Sequence, residues 1–365
     1  MLALSLALPL LLAEPAADAG TAPSPEAPEP SRSYLLPAGE TFGLNLLVWG
    51  IARPTVGQQS DDWSISFPQV LTENPFRPWV WGKGGSSFDT SQFLHPVHGA
   101  LEFDFARSAG LSFWESIWYP IGGSLMWELF METNDPAIND EIVTPMGGVF
   151  LGEALHRFAD VLRGPGPPDT WHEIAAFLVS PAEGINHLAF HDSFWSDLDH
   201  PVSGYLEASL GANVGGDYFD RVLGAASATP QAFVRLEASE YGIGGYRARR
   251  PFDDFDFTLD LAAGSGFSVH PAIDGNGEWD VFVRGLLVPA RLDGGRAFQG
   301  LWGLWGTYDY GQPEVVRVST VGLGPGATGQ WDVARGVSLV GSAIAAWVPF
   351  ASADAITAPM LERDY

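Results

Sequence analysis

From residue 201 onward the chain alternates apolar and polar positions with a period of two. Across 202–214 the even positions are Val, Gly, Leu, Ala, Leu, Ala and Val, and the odd ones Ser, Tyr, Glu, Ser, Gly and Asn. Across 254–263 the odd positions Phe255, Phe257, Leu259 and Leu261 oppose Asp254, Asp256, Thr258 and Asp260. Weaker alternation covers 231–241, 278–292, 297–310, 314–323 and 331–347. Successive side chains of a strand point to opposite faces, so this pattern predicts about seven antiparallel strands with one greasy and one wet face. Gly, Pro, Asn and Asp punctuate them as turns.

Upstream the period is helical. The stretch 88–163 holds three helix-length apolar patterns. The first follows Asp89, Thr90 or Ser91, any of which can cap its free backbone N–H groups. The second runs over 111–132, kinked by Pro120 and Gly122-Gly123. The third starts near Gly147 and stops at Gly164-Pro165, with Asn139, Asp140 and Thr144 read as the turn before it. A short helix over 170–178 follows, capped by Thr170. The apolar segment 40–52 fits either a helix or a strand at this length.

Strands with one apolar face close either as a soluble sandwich or as a membrane barrel with that face outward. Strands of about ten residues suit a bilayer crossing. Gly 43, Trp 14 and Phe 23 are high together, which suits a barrel with aromatic girdles. The fold expected is therefore mainly β, an antiparallel outer-membrane-type β-barrel with an N-terminal α-helical region. Single-chain barrels of bacteria are even-stranded, so one of 40–52 or 63–67 is expected to complete the set.

Lys and Arg total 18 against 44 Asp and Glu, a net charge of -26. That excludes nucleic acid as a partner, because phosphate binding needs a basic face. Cys 0 removes disulfide and thiolate chemistry. Residues 1–13 are an apolar run too short to span a bilayer, followed by the small-x-small Ala17-Asp18-Ala19. They read as a signal peptide over 1–19, then a Pro-rich linker over 20–39, a helical region over 40–180 and barrel strands over 181–365. Export to the outer membrane of a Gram-negative cell, with membrane lipid as the partner, is the expectation.

Candidate chemistry lies in the helical region. His95, His98 and Glu102 share a helix face, and Glu153 and His156 stand three residues apart on another. Carboxylates and imidazoles gathered from several helices offer lone pairs at fixed reach, so His95, His98, Glu102 and His156 are candidate ligands for a divalent metal; no other cofactor is expected. The bland reading is a polar network between helices, with Arg107 and Arg157 neutralising the acids. Glu128 and Glu153 are candidate acid–base groups. Trp114-Glu115 and Trp127-Glu128 set carboxylates beside large rings, which raises a carboxyl pKa. Ser112, Ser116 and Ser124 lack the strand-to-helix elbow of a serine nucleophile. Arg247, Arg249 and Arg250 form the basic cluster of the chain and read as a solvated loop.

Asn74-Pro75-Phe76, the run FDTSQFLHPVHGALEFDFARSAGLSFWES, the block GSLMWELFMET and AINDEIVTPMGGVFLGEALHR resemble, in that order, the uncharacterised bacterial family catalogued as domain of unknown function 3943. The resemblance implies an exported protein with a C-terminal barrel. That family has no established activity, so it carries over no catalytic role. The functional expectation is an outer-membrane barrel with a structural role or one in passage or binding of a small solute, its helices set in or against the lumen. The alternative is a membrane-embedded hydrolase of lipid or lipopolysaccharide using the His and Glu residues above.

Overall fold

A computed structural model describes residues 3–8, 32–55, 71–81, 88–131, 135–163, 170–190, 203–214, 228–240, 250–264, 277–293, 298–311, 316–334 and 337–355. Ala17 to Ala19, the linker over 20–31, the segment 63–67, Glu132, and Arg247 and Arg249 lie outside them. The chain divides into two compact units, one of 1–12 with 202–365 and one of 13–201.

The first unit is a sheet of nine strands among the described residues: β1 Ala3–Leu8, β2 Ser203–Val214, β3 Ala228–Glu240, β4 Phe255–Gly264, β5 Gly277–Asp293, β6 Phe298–Gly311, β7 Val316–Ala334, β8 Val337–Ile344 and β9 Trp347–Ala355. Each pairs antiparallel with the next from β1 to β8, and β9 returns to β7. Because β6 occupies one side of β7, β8 and β9 share the other and act as one strand broken at Ala345-Ala346. The sheet thus has eight strand positions. The even count is completed by Ala3–Leu8, inside the run read as an export signal, and not by 40–52, which is helical. The sequence reading puts a break between 314–323 and 331–347; β7 instead continues to Ala334, and β8 starts at Val337. Gly322, Gly324, Pro325 and Gly326 look like a turn but lie inside the 19-residue β7.

Glycine is required there by contact. A Cβ on Gly324 would stand 2.1 Å from the Ala345 carbonyl oxygen, and one on Gly326 would meet the Trp305 ring at 2.6 Å. The sheet curls toward the face that carries Trp305. Arg284 on β5 hydrogen-bonds Ser342 on β8, three strand positions across and six residues along from its own row, which in a flat sheet would be more than about 20 Å. A side chain spans that gap only if the strands bend toward each other.

Register assigns the faces. Asp256, Arg284, Thr307 and Gly322 share a row, as do Thr258, Phe282, Asp309 and Thr320. On this concave face Arg284 pairs with Asp256 and lies over the Trp305 ring at 5.6 Å, while Leu286, Leu301, Trp305 and Ile344 form a small apolar cluster. The opposite face is mostly apolar, with Arg317, Ser319 and Asp354 as polar exceptions at one end of β7 and β9. Phe255, Phe257, Val281, Val283, Tyr308, Tyr310 and Val321 are buried on it, and Leu261, Val288, Trp302, Leu304, Trp331, Leu339 and Trp347 are exposed. The predicted wet and greasy faces are both present, on an open curled half-barrel. Phe252 is stacked against Gly285, where a Cβ would lie 2.4 Å from its ring. It takes a positive φ of 64° to do so, held by its N–H on the Leu286 carbonyl at 2.7 Å.

The second unit is helical: α1 Leu35–Thr55, α2 His95–Ser108, α3 Phe113–Ser116, α4 Trp118–Phe130, α5 Ile138–Arg163, α6 Thr170–Val179 and α7 Pro181–Phe190. It runs past residue 180 by the whole of α7. Before α2, Thr90–Leu94 forms a π-helical turn, and Asp89 makes no side-chain cap, contrary to the sequence expectation. The helix α5 begins nine residues before Gly147, so Asn139, Asp140 and Thr144 lie inside it and Pro145 is accommodated in its second turn. The stretch 111–132 is broken at Ile117, between α3 and α4, and Pro120 follows in the first turn of α4, where its missing N–H has no partner within that helix to lose.

Helices α2 and α5 meet at backbone distance. A Cβ on Gly99 would lie 2.4 Å from the Thr144 carbonyl oxygen, one on Gly148 2.6 Å from the Gly99 carbonyl carbon, and one on Gly152 2.9 Å from the Phe103 ring. The spacing Gly148-x-x-x-Gly152 presents a bare strip of α5, and α2 lies on it. That contact aligns the polar residues of the two helices inside the unit.

Candidate functional site

The interior of the helical unit holds charge. Glu102, Asp104, Arg107, Glu128, Glu153, His156, Arg157 and Glu183 are all buried. Burying charge is costly unless it is paired, and here most of it is.

Glu153 on α5 is the centre of one group. Its Oε2 accepts from Arg107 Nε at 2.7 Å and its Oε1 from Arg157 Nε at 2.9 Å. Arg107 also donates to the Leu111 carbonyl at 2.6 Å, which fixes the turn after α2. This is the Arg107–Arg157 network foreseen as the bland reading. Glu128 accepts the Ala137 N–H at 2.7 Å, at the start of α5, where the helix dipole favours a carboxylate. Both candidate acid–base groups are thus committed to structural partners.

The four candidate ligands do not gather. His95 faces Asp140 at 3.7 Å, while His98 lies 3.4 Å from Glu102 with its ring edge-on to Trp127 at 5.8 Å. Glu102 is held by Asn45 of α1, whose Nδ2 donates to Oε1 at 2.7 Å, and its carboxylate rests against the bare Cα of Gly123. Burial raises the pKa of Glu102; His98 and Asn45 oppose that rise. Glu141 is pushed up to about 7, by burial first, with Ser124 lowering and Glu102 adding to the shift.

His156 joins a different set. Its Nδ1 donates to Glu183 Oε2 on α7 at 2.9 Å, and its Nε2 stands 4.0 Å from Asp160. Among the described residues, His156, Asp160 and Glu183 are the group whose ligand atoms converge, within 4.8 Å of one another. The donor types suit a divalent cation. Arg163, however, already pairs with Glu183 and lies 3.3 Å from Asp160, supplying the positive charge a metal would bring. The set fits a metal poorly for that reason. Nearby, Asp104 accepts from Ser180 Oγ at 2.7 Å, and burial raises its pKa well above the carboxylate range.

Glu115 overturns the expectation that a neighbouring Trp raises its pKa. Ser112 and Glu115 form a reciprocal capping box on α3, and Tyr34 Oη donates to Glu115 at 2.6 Å. The Ser112 and Tyr34 hydrogen bonds hold Glu115 down at about 2.

Asn45, Asp160, Arg163 and Glu183 escaped the sequence reading. Thr41 and Asn45, one turn apart in an apolar segment, were a visible sign of a helix with an inward polar strip. Glu183 had no such sign, because its partners lie 20 and 27 residues away on another helix.

The ion set makes stability pH-dependent. Burial alone would lower the His156 pKa, yet the Glu183 charge and hydrogen bond lift it to about 9. Its contribution is complete below its unfolded pKa of about 6.5 and is lost as pH rises toward 9. Burial would raise Glu183, but His156 and Arg163 bring it down to about 2, so its contribution is lost only as pH falls from about 4.5 to 2. Asp160 and Glu141, pushed up to about 7, are most favourable protonated and lose that advantage as pH rises from about 4 to 7. The unfolding midpoint of the helical unit is therefore expected to be higher at pH 5 than at pH 9 in a urea titration. His156→Gln should flatten the fall between pH 7 and 9. An unchanged slope in that variant would remove His156 from the account.

No curated protein and no solved structure matches this chain. Residues 78–182, from the turn before α2 through α6, match the model of a family described as domain of unknown function (DUF3943), the family that the central stretch resembles.

Proposed function

We propose that the protein is an exported outer-membrane barrel, with a structural role or one in passage or binding of a small solute. The observation that carries this reading is the division of the sheet. Its convex face offers Leu261, Val288, Trp302, Leu304, Trp331, Leu339 and Trp347 to the surroundings, while its concave face carries Asp256, Thr258, Arg284, Thr307 and Thr320. A soluble sandwich turns its apolar face into a core; a membrane barrel turns it to lipid and keeps a polar lumen. Exposed Trp302, Trp331 and Trp347 suit the interfacial girdle. In this reading the barrel closes on itself, which leaves no open rows of backbone donors and acceptors at the sheet edges.

The full chain, expressed in a Gram-negative host, should remain in the outer-membrane pellet after alkaline carbonate washing and dissolve only in detergent. Release by carbonate would mean that the apolar face is covered by protein and would overturn the proposal.

A further inference from the structure

The helix α1 is inverted relative to a helix in water. Its buried positions are Pro37, Thr41 and Asn45, with Leu44 and Val48 half-buried beside them, and Asn45 is bonded to the Thr41 carbonyl and to Glu102. Its outward positions are Leu35, Phe42, Leu46, Leu47 and Ile51, with Leu47 60% and Ile51 57% exposed. An amphipathic helix on a soluble protein does the opposite, because apolar area left in water is unfavourable in proportion to its extent. The stretch Leu35–Ala52 is long and apolar enough to cross a membrane, and only a sixth of it is covered. At 1.5 Å per residue its 18 residues extend about 27 Å, close to the thickness of a hydrocarbon layer.

A second feature sits at one end of this strip. Tyr34, Trp114, Glu115, Trp118 and Tyr119 line an open cleft of about 300 Å³ just before α1. Tyr34 Oη donates to Glu115, Tyr119 Oη donates to the Tyr34 carbonyl at 2.8 Å, and Arg32 stands 3.7 Å from Glu115. Trp118 is 66% exposed. Aromatic side chains with an apolar body and a bonded polar tip are the groups that settle at the boundary between headgroups and acyl chains. A protein partner would be met by a polar rim around an apolar centre, but the outward strip of α1 carries no charged residue between Leu35 and Ile51 other than the half-buried Glu40. The net charge of -26 excludes electrostatic docking on anionic headgroups, which leaves apolar insertion as the attraction.

We infer that the outer face of α1 lies in the acyl chains of a lipid layer, with the Tyr34–Trp118 cleft at the headgroup level. The contact anchors the helical unit to the membrane by its own surface. It stands on residues of the helical unit alone and holds whether or not the sheet closes as a barrel.

The chain has no cysteine, so a single Leu47→Cys carries one fluorophore without competition. The labelled full chain is reconstituted with phosphatidylcholine vesicles whose acyl chains are brominated at mid-depth. Bromine should lower the emission about twofold, as for a probe among acyl chains, while aqueous iodide has little effect. The same label at the exposed Glu73 should respond to iodide only. Iodide quenching without bromine quenching at Leu47 would overturn the inference, and so would shielding from both, which would mean a protein surface covers α1. A Leu304→Cys label reports the sheet separately. Bromine quenching there but not at Leu47 sinks this inference and leaves the barrel reading intact; the reverse result does the opposite.

Discussion

Glu153→Ala is expected to destabilise the helical unit by about 3–5 kcal/mol, the usual cost of leaving a buried charge without its partner. Two guanidiniums depend on that one carboxylate, Arg107 at 2.7 Å and Arg157 at 2.9 Å, and all three side chains are nearly inaccessible. Arg107 still keeps the Leu111 carbonyl. Glu153→Gln keeps the side-chain shape and one acceptor oxygen but loses the charge, and should fall between the wild type and the alanine variant. Urea unfolding followed by circular dichroism reads both. If Glu153→Ala unfolds within 1 kcal/mol of the wild type, a bound on the order of the weakest exposed pairs, the carboxylate is not structural and a chemical role for Glu153 regains ground.

Gly148→Ala carries the second large effect. The added methyl would stand 2.6 and 2.7 Å from the carbonyl carbon and Cα of Gly99, which are backbone and cannot rotate aside. Helices α2 and α5 must separate, and with them the Arg107–Glu153 pair that bridges them. Overpacking of this kind costs about 1–3 kcal/mol, sometimes more, and the strained ion pair places Gly148 at the upper end. Gly122→Ala is the internal control. It faces open space on α4, so replacing its flexible backbone should stabilise the helix by about 0.5–1 kcal/mol. Equal melting temperatures for the two variants would refute the close-contact account.

Much of the sheet was legible because its signal is local. The alternation in 202–214 and 254–263 depends on nothing but the pleat, and both segments form strands at those places. The failures came where local chemistry lost to packing. Gly322 to Gly326 looked like a turn, yet glycine is needed inside β7 to admit the Trp305 ring and the Ala345 carbonyl. Gly122-Gly123 reads as part of a break, yet the break falls at Ile117, ahead of Pro120, and Gly123 lies inside α4, where it vacates room for the Glu102 carboxylate. The segment 40–52 is a helix whose Asn45 turns inward and donates to the buried Glu102, a partner no local pattern shows.

The candidate site was legible only in part. Arg107 and Arg157 read as neutralising acids between helices, and the Glu153–Arg157 pair follows from its four-residue spacing, but the Arg107–Glu153 pair crosses from α2 to α5 over 46 residues. His156 could not be assigned to Glu183, since that pairing crosses from α5 to α7 and leaves no periodic trace. Grouping His95 and His98 with His156 failed for the same reason: a shared residue type says nothing of which helix faces which.

A denaturing gel of the detergent-solubilised full chain, loaded unboiled and boiled, tests the central claim most directly. A closed barrel stays folded in the detergent at room temperature and unfolds on boiling, so the two samples should migrate at different apparent masses. Identical migration, from protein that circular dichroism shows to be folded before loading, would contradict the barrel and make the convex face a surface awaiting a protein partner.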